Sequence, residues 1–220
     1  MKCVLLLGYS TTGKSTILCD FREKYAEAIE TVDSDSEISK EDGGHIYNVF
    51  LRFVEGSDTG PALREIERRE RQFLERVGPN TRPLLIAAGP CLPIREPEWR
   101  EFVQRVQPIC FYLQKPPEKV LQGLRDRHAK HLRNEQLAGR PGFGCWDQDL
   151  TTECRNGRWV EVDDSERALQ NVRANMQGMV RLYERLASQT FLWEDRQTTE
   201  GKQRLYRAIL SALNVSPVAL

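Results

Sequence analysis

Short apolar segments alternate along the chain with longer segments in which apolar residues recur every three or four positions. The short segments predict strands, and the longer ones predict helices with one buried face. The predicted strands cover residues 2–7, 30–33, 83–88, 108–113 and 189–193. Because strands and helices alternate, we expect helical crossovers between parallel strands. The pattern therefore predicts an α/β fold with a five-stranded parallel sheet flanked by helices.

Each predicted helix has its apolar residues on one side, which needs a core to pack against. These residues are Ile17, Leu18, Phe21 and Tyr25; Leu63, Ile66, Phe73, Leu74 and Val77; Trp99, Phe102, Val103 and Val106; Val120, Leu121 and Leu124; Leu169, Val172, Met176, Met179, Tyr183 and Leu186; and Leu205, Ile209 and Leu213. We therefore expect one globular domain that spans residues 1–220.

The alternation breaks between residues 133 and 163. Residues 139–144 are rich in glycine and carry a proline, and polar residues dominate the stretch after them. This composition predicts a long mobile loop between two helices. Loops of this length in compact domains are usually functional, and many act as lids. We interpret 133–163 as a lid insertion within the single domain.

The charge of the chain excludes some classes of partner. Its 220 residues include 32 Lys and Arg and 32 Asp and Glu, so the formal net charge is zero. A neutral chain has no general excess of positive charge with which to hold a polyanion. We therefore expect neither nucleic acid nor an acidic membrane surface as a partner.

The start of the chain and its cysteines indicate a cytoplasmic protein. The apolar run that follows Met1 is too short for a signal peptide, and no segment is long enough for a membrane span. The six cysteines are spread along the chain, and several stand in apolar segments, as thiols do in a reducing compartment. They are Cys3, Cys19, Cys91, Cys110, Cys145 and Cys154.

A complete G-x-x-x-x-G-K-[ST] motif stands between the first predicted strand and the first predicted helix. Such a loop turns its backbone N–H groups inward around phosphate oxygens, and the helix N-terminus adds partial positive charge. The lysine bridges the terminal phosphates and the serine hydroxyl ligates Mg²⁺. The motif predicts an ATP or GTP site formed by Gly8, Ser10, Thr11, Thr12, Gly13, Lys14, Ser15 and Thr16.

A phosphate-binding loop of this kind occurs in GTPases, in motor proteins and in kinases that act on small molecules. The sequence has no Asn-Lys-x-Asp guanine motif, which disfavours a GTPase. A chain of 220 residues with a lid suits a kinase that closes over its substrate to exclude water. We therefore favour a small-molecule kinase.

Several segments follow one another in the order found in shikimate kinases. They are the phosphate-binding loop, Val32–Ile38 with its Asp-x-Asp pair, Gly44–Phe50, Leu63–Glu67, Arg140-Pro141, Leu182–Glu184 and Thr198–Glu200. The chain resembles a shikimate kinase over most of its length, except for the inserted part of the lid. The resemblance implies a P-loop kinase fold, ATP and Mg²⁺ as cofactors, and a small hydroxylated acceptor. For the oligomeric state we expect a monomer or a homodimer.

The resemblance also implies roles for individual residues. Asp33 is expected near Mg²⁺, and Asp35 is expected to accept or orient the acceptor hydroxyl. Arg64 matches an arginine that grips the acceptor carboxylate, and Arg140 one that reaches the transferring phosphoryl group from the lid. Gly89 follows the third strand, where the backbone approaches the acceptor.

Each of these roles has a structural alternative. Asp33 and Asp35 also match residues of a solvated turn, next to serines that cap the following helix. The structural role and the role in the reaction are compatible. Arg64 begins a charged run and suits a solvated helix position, paired with Glu67 or Glu70. Arg140 suits an ordinary loop position.

Two departures from the family pattern concern the acceptor. The family has three consecutive glycines after the third strand, whereas this chain has Ala88-Gly89-Pro90, and proline cannot donate an N–H. A second acceptor-binding arginine is expected in the pattern R-x-x-L-Y, but Met179 stands at that position. We therefore expect an acceptor other than shikimate, with Arg95 or Arg173 as open substitutes. Arg125 and Arg127 are both candidates for the arginine that faces the adenine.

Other interpretations stay open at this stage. A metal site formed by His128, His131, Cys145 and Cys154 has a spacing that is uncommon for zinc. A P-loop regulator that transfers nothing to a metabolite is the main alternative to a kinase. A kinase domain retained only for interaction through 133–163 is a third hypothesis.

Overall fold

The computed structural model describes residues 2–55, 58–78, 82–132, 152–155, 158–161 and 164–217. The strands of its main sheet are β1 (Cys3–Leu7), β2 (Glu30–Asp33), β3 (Leu84–Ala87), β4 (Ile109–Leu113) and β7 (Gln189–Phe191). They form a five-stranded parallel sheet in the order β2-β3-β1-β4-β7. Each strand lies inside its predicted segment, so the predicted α/β fold is confirmed.

Helices connect the strands and cover both faces of the sheet. They are α1 (Lys14–Tyr25), α2 (Ser34–Ile38), α3 (Ile46–Phe53), α4 (Gly60–Arg76), α5 (Glu98–Val106), α6 (Pro117–Leu132), α7 (Ser165–Leu186), α8 (Trp193–Arg196) and α9 (Thr199–Leu213). Short 3₁₀ turns occupy Lys40–Asp42 and Leu92–Ile94. Among the helices described, none combines the length and the apolarity that crossing a bilayer requires.

The core lies on both faces of the central strand β1. Successive side chains of a strand point to opposite faces of the sheet. Accordingly, Leu5 packs in a cluster with α3, α4 and α5, whereas Leu6 packs in a second cluster with α1 and α9. The apolar faces predicted for α1 and α9 are buried as expected.

One predicted core residue of α4 is exposed. Leu63 keeps 42% of its surface accessible, whereas Ala62 and Ile66 are buried. An α-helix turns by about 100° per residue, so Ala62 and Ile66 share the side that faces the core and Leu63 points away from it. The prediction that Leu63 belongs to the core was therefore wrong.

The segment predicted to be a lid lies between α6 and α7, and two strands that were not predicted lie within it. Strands β5 (Thr152–Arg155) and β6 (Arg158–Glu161) pair antiparallel. Their Thr, Trp and Val residues favour strands, and the sequence between them is Asn156-Gly157, a dipeptide typical of hairpin loops. The remainder of 133–163 lies outside the described residues.

The described cysteines are thiols. Cys3 and Cys110 are buried in the core, Cys91 is half-buried and Cys19 is exposed, and all four are free. Burial raises the pKa of Cys3 to about 12 and that of Cys110 to about 11. These buried thiols therefore act as small apolar groups.

The topology places the candidate chemistry at one edge of the sheet. In a parallel sheet the carboxyl ends of all strands lie on the same side. The phosphate-binding loop follows β1, Asp33 and Asp35 stand at and after the end of β2, and Gly89 follows β3. Since β1, β2 and β3 are adjacent or next to adjacent, these segments converge.

Candidate active site

The loop from Gly8 to Gly13 has the backbone that its glycines make possible. Gly13 lies in the left-handed region, with φ of 93°, and forms the N-cap of α1. Gly8 has φ of 154°, and a Cβ added there would lie 2.7 Å from the Thr12 Oγ1 atom and 2.9 Å from the Leu113 carbonyl oxygen. A larger residue at position 8 therefore cannot fit without moving the loop.

Lys14 lies within this loop. Its ammonium group donates hydrogen bonds to the carbonyl oxygens of Gly8, at 2.7 Å, and of Tyr9, at 3.0 Å. Burial lowers the pKa of Lys14 to about 8, while Asp35 and Asp33 act in the opposite direction. The lysine is therefore protonated at neutral pH and is positioned at the start of α1, where anions bind.

Ser15 and Asp33 meet directly beside the loop. The Ser15 hydroxyl donates to the Asp33 Oδ2 atom at 2.6 Å. The other oxygen of Asp33 caps α2, because it accepts from the backbone N–H groups of Asp35, at 3.1 Å, and of Ser36, at 3.3 Å. The cap expected from Ser34 or Ser36 is thus formed by Asp33, which also lies next to Ser15. A hydroxyl and a carboxylate are the oxygen ligands that suit Mg²⁺.

Asp35 is held against the loop that follows β3. Burial and repulsion by Asp33 raise the pKa of Asp35 to about 6, while Lys14 lowers it. The backbone N–H of Gly89 donates to the Ser34 Oγ atom at 2.7 Å. A Cβ added to Gly89 would overlap the Asp35 Oδ1 atom. Gly89 is therefore the residue that leaves room for the Asp35 carboxylate.

Replacing Gly89 with alanine is expected to displace Asp35. A misplacement of about 1 Å in a reacting group can lower a rate by about 100-fold, so we expect a loss of that order in kcat, with unchanged nucleotide affinity. Steady-state kinetics and calorimetry measure the two quantities. Gly178→Ala is the control, because a Cβ there meets no atom within 4 Å. A Gly89→Ala variant with unchanged kcat would contradict this role.

One cavity of about 490 Å³ contains most of the predicted site residues. Its lining consists of Ser10, Thr11, Thr12, Gly13, Lys14, Ser15, Thr16, Asp33, Asp35, Ser36, Gly44, His45, Ile46, Ala87, Ala88, Pro90 and Arg127. The structure thus brings the predicted phosphate-binding residues and both aspartates together.

Among the described residues, three predicted site residues do not line this cavity, namely Gly8, Arg64 and Gly89. Arg64 is exposed on α4 and does not contribute to the lining. The salt bridges expected from the charged run differ as well, since Glu67 pairs with Arg71 at 2.9 Å and Glu70 with Arg95 at 2.5 Å. Arg140 lies outside the described residues.

Arg127 and His45 complete the cavity wall. Arg127 is one of the two arginines that the sequence analysis considered for the adenine, whereas His45 was not among the predicted site residues. Arg127 extends from α6 into the lining, whereas Arg125 donates to the Ser165 Oγ atom at 3.2 Å. His45 caps α3, with its Nδ1 atom accepting from the Tyr47 N–H at 3.2 Å. Burial and the positive charge of Arg127 lower the pKa of His45. The sequence offered one signal for His45, because it is a polar residue directly before the first residue of α3.

Two cations stabilise the phosphate-binding loop through hydrogen bonds, and a tryptophan ring packs against both of them. Lys115 donates to the Thr11 carbonyl oxygen at 2.8 Å, and Arg196 donates to that of Thr12 at 2.9 Å. The Trp193 ring lies 4.5 Å from the Lys115 Nζ atom and 5.4 Å from the Arg196 Cζ atom. These residues come shortly after the ends of β4 and β7. The carboxyl ends of parallel strands lie at one edge of the sheet, so the three residues are close to the loop that follows β1.

The proposed His and Cys metal site lies beyond what the structure describes. The side chains of His128, His131, Cys145 and Cys154 are all outside the described residues. Within the described ones, no cluster of three or more His, Cys, Asp or Glu side chains has the arrangement of a metal site. The four-residue metal site stays an untested hypothesis.

The fold is shared with solved shikimate kinases. The enzyme from Acinetobacter baumannii, solved in complex with shikimate, is 19% identical, with a TM-score of 0.56 over 97% of this chain and 94% of its own. The enzyme from Bacteroides thetaiotaomicron is 12% identical, with a TM-score of 0.57 over 97% and 99%. The enzyme from Aquifex aeolicus is 15% identical, with a TM-score of 0.51 over 96% and 98%.

These similarities confirm the shikimate-kinase-like P-loop fold that the motifs implied. At such low identity they show the fold alone. The sequence itself matches no protein-family model and no curated protein. The chemistry must therefore be argued from the residues of this chain.

Proposed function

We propose that this protein is a kinase that transfers the γ-phosphoryl group of ATP to a hydroxyl group of a small molecule. The proposal depends on one observation, which is that three features line the same cavity. These features are the phosphate-binding loop with Lys14, the Ser15–Asp33 pair, and Asp35. A fold shared with shikimate kinases supports the same conclusion.

The nucleotide half of the site binds phosphate. The inward N–H groups of residues 8–13, the start of α1 and the ammonium group of Lys14 attract the terminal phosphates. Ser15 and Asp33 would hold Mg²⁺, which neutralises phosphate charge when it is bound. Arg127 adds positive charge to the wall of the same cavity.

The acceptor half of the site receives the alcohol. The acceptor oxygen forms a bond to the γ-phosphorus, and the bond from that phosphorus to the β–γ bridging oxygen breaks, which releases ADP. The acceptor proton passes to the Asp35 carboxylate. Catalysis then depends mainly on positioning and on stabilisation of charge. Arg140 keeps its proposed role of reaching the phosphoryl group from the lid. Arg64 is exposed and does not line the cavity, and its proposed grip on an acceptor carboxylate stays a prediction.

Coupled ADP release with a panel of acceptors tests the proposal. The panel includes hydroxylated acids, sugars, cyclitols, aminoglycosides and nucleosides, each with ATP and Mg²⁺. We expect at least one acceptor to stimulate ADP release above the rate with water alone. If no member of the panel does so, the proposal fails.

A P-loop regulator is the second candidate function, and two substitutions favour it. Pro90 and Met179 replace residues that bind the acceptor in the family that the chain resembles. A regulator would bind nucleotide without a need for Asp35 as a proton acceptor. Substitution of Asp35 therefore separates the two functions.

His45 is proposed as a further hydrogen-bond donor to the transferred group. Because its Nδ1 atom accepts the Tyr47 N–H, the neutral ring carries its proton on Nε2. His45 lines the cavity, and we propose that its Nε2–H group donates to a phosphoryl oxygen there.

Two substitutions separate this role from the helix cap. Asn at position 45 keeps an oxygen where Nδ1 lies, so we expect unchanged melting and a loss of about 10- to 100-fold in kcat. Gln reaches the Nε2 position but weakens the cap, so we expect near-normal kcat and about 1 kcal/mol lower stability. Kinetics and thermal melting measure both. Equal kcat in His45→Asn and the unsubstituted protein would refute the donor role.

A further inference from the structure

Two consecutive carbonyl groups of the phosphate-binding loop are each bound by a buried cation. Lys115 donates from its Nζ atom to the Thr11 carbonyl oxygen at 2.8 Å and to the Thr11 Oγ1 atom at 3.3 Å. Arg196 donates from Nη1 to the Thr12 carbonyl oxygen at 2.9 Å and from Nη2 to that of Gln114 at 2.7 Å. Lys115 is 7% exposed and Arg196 is 6% exposed. The directions of the two carbonyl groups are therefore set by side chains that do not belong to the loop.

A carbonyl group held in place also fixes the N–H group of the next residue. The peptide unit is planar and trans, so its C=O and N–H bonds point in opposite directions. The Lys115 contact therefore orients the N–H of Thr12, and the Arg196 contact orients the N–H of Gly13, in each case away from the cation. Thr12 and Gly13 line the cavity of about 490 Å³, whereas the two cations lie outside its lining.

Both N–H groups are available to a ligand. Helix α1 begins at Lys14, so the N–H groups just before it have no partner within the helix. The N–H groups of Thr12 and Gly13 donate to no acceptor in the part of the chain that the structure describes. Thr12 is buried, and a buried N–H group without a partner is rare in proteins. An oxygen-rich anion in the cavity would supply the missing acceptors.

The conformation of Thr11 depends on the structure around it. Its φ is 63°, in the left-handed region, which is unfavourable for a β-branched residue. Such residues persist where their surroundings hold them, and they are common at ligand-binding sites. A Cβ added to Gly123 of α6 would lie 2.7 Å from the Thr11 Oγ1 atom and 3.1 Å from the Lys115 Nζ atom. Gly123 therefore leaves room for the contact between Lys115 and Thr11.

The two cations are placed together at an electrostatic cost. Burial lowers the pKa of Lys115, and the positive charge of Arg196 lowers it further. Burial lowers the pKa of Arg196 to about 10, so this side chain is charged at neutral pH. The Trp193 ring lies 4.5 Å from the Lys115 Nζ atom and 5.4 Å from the Arg196 Cζ atom, which offsets part of the cost. A positive charge on a carbonyl oxygen polarises the peptide group and strengthens its N–H as a donor to an anion.

We propose that Lys115 and Arg196 are positioning residues for the nucleotide, because they orient the N–H groups of Thr12 and Gly13 towards its phosphates. The inference rests on the nucleotide half of the proposed kinase function. It extends that half beyond the G-x-x-x-x-G-K-[ST] motif to two residues that follow other strands. Neither cation contacts the phosphates, since each acts through one peptide group of the loop.

Substitution of Lys115 tests the inference through binding, without a need for turnover. Lys115→Met keeps an unbranched side chain beside the Trp193 ring but removes the ammonium group. We expect the Kd for ATP and for inorganic triphosphate, measured by calorimetry, to rise about tenfold, because a hydrogen bond from a charged group is lost. The Kd for adenosine, which has no phosphate, should be unchanged. A contribution to folding alone would lower the melting temperature and leave all three Kd values as they are.

Two further variants separate orientation from charge. Gly123→Ala keeps both cations but displaces the contact with Thr11, so we expect a similar rise in the Kd for ATP, although alanine favours the helix. Arg196→Lys has one ammonium group for the two carbonyl oxygens that the guanidinium joins, and we expect a rise of about threefold or more. Lys119→Met is the matched control, because it removes a positive charge from an exposed position on the same helix. It should leave the Kd nearly unchanged.

The N–H groups give a direct readout by NMR spectroscopy. On addition of inorganic triphosphate to the unsubstituted protein, we expect downfield shifts of the Thr12 and Gly13 amide protons, as for hydrogen bonds to an anionic oxygen. The Thr12 shift should be smaller in Lys115→Met, and the Gly13 shift should be smaller in Arg196→Lys.

The outcomes distinguish the inference from the proposed function. Unchanged Kd values for ATP and triphosphate in folded Lys115→Met and Gly123→Ala would overturn the inference and leave the kinase proposal intact. An equal rise in the Kd for adenosine, or an equal rise in Lys119→Met, would also overturn it, since the effect would not act through the phosphates or through the loop. If the unsubstituted protein binds neither ATP nor triphosphate, the nucleotide half of the proposed function fails, and the inference fails with it.

Discussion

Replacing Asp35 with asparagine is expected to lower acceptor-stimulated turnover by about 10²- to 10⁴-fold while leaving ATP affinity nearly unchanged. The amide has a similar shape and keeps the contact with the β3 loop, but it cannot take a proton from the acceptor hydroxyl. Asp35 lines the same cavity as Lys14, and Gly89 leaves room for its carboxylate. Initial rates and calorimetry measure the two effects.

Glu37→Gln is the matched control for this substitution. Glu37 lies on the same short helix as Asp35 but is exposed, and its pairing with Lys40 is loose at 3.9 Å. It should therefore leave turnover unchanged. If Asp35→Asn also has normal turnover, Asp35 does not receive the proton. A protein that binds ATP and is insensitive to this substitution would fit the regulator.

The features that were predicted correctly depend on local sequence. The strands are short apolar runs, and the turn after β1 needs Gly8 and Gly13 wherever the rest of the chain lies. Asp33 is the last residue of β2, so its position at the edge of the sheet follows from the strand boundary. A phosphate-binding loop followed by Asp-x-Asp was therefore enough to predict that these residues lie together at one edge of the sheet.

The features that were missed depend on distant pairings. Arg196 contacts the loop from a residue 184 positions away, and nothing near it in sequence indicates that partner. Arg95 carries the right charge for an acceptor clamp, but its pairing with Glu70 is set by how α4 packs beside the β3 loop. Gly89 was expected to approach the acceptor, and the structure shows that its missing side chain makes room for Asp35. Composition and periodicity do not contain such information.

Replacing Lys14 with methionine is expected to have the largest effect on the nucleotide half. Methionine keeps a chain of similar length without the ammonium group that we propose to bind the phosphates. We expect turnover to fall by about 10³-fold, the upper range for the loss of one preorganised donor, together with weaker ATP binding. Lys24→Met, on the exposed last turn of α1, is the control and should leave both quantities unchanged.

The pH dependence of ATP binding tests whether the charge of Lys14 holds the phosphates. Since burial lowers its pKa to about 8, Lys14 is charged below that pH in the nucleotide-free protein and neutral above it. Phosphate favours the charged form, so ATP affinity measured by calorimetry without Mg²⁺ should fall as the pH rises above 8. Lys14→Met should lack this fall, because no proton is left to lose at position 14. If the fall persists in that variant, another group carries the charge that holds the phosphates, and the nucleotide half of the site would have to be reassigned.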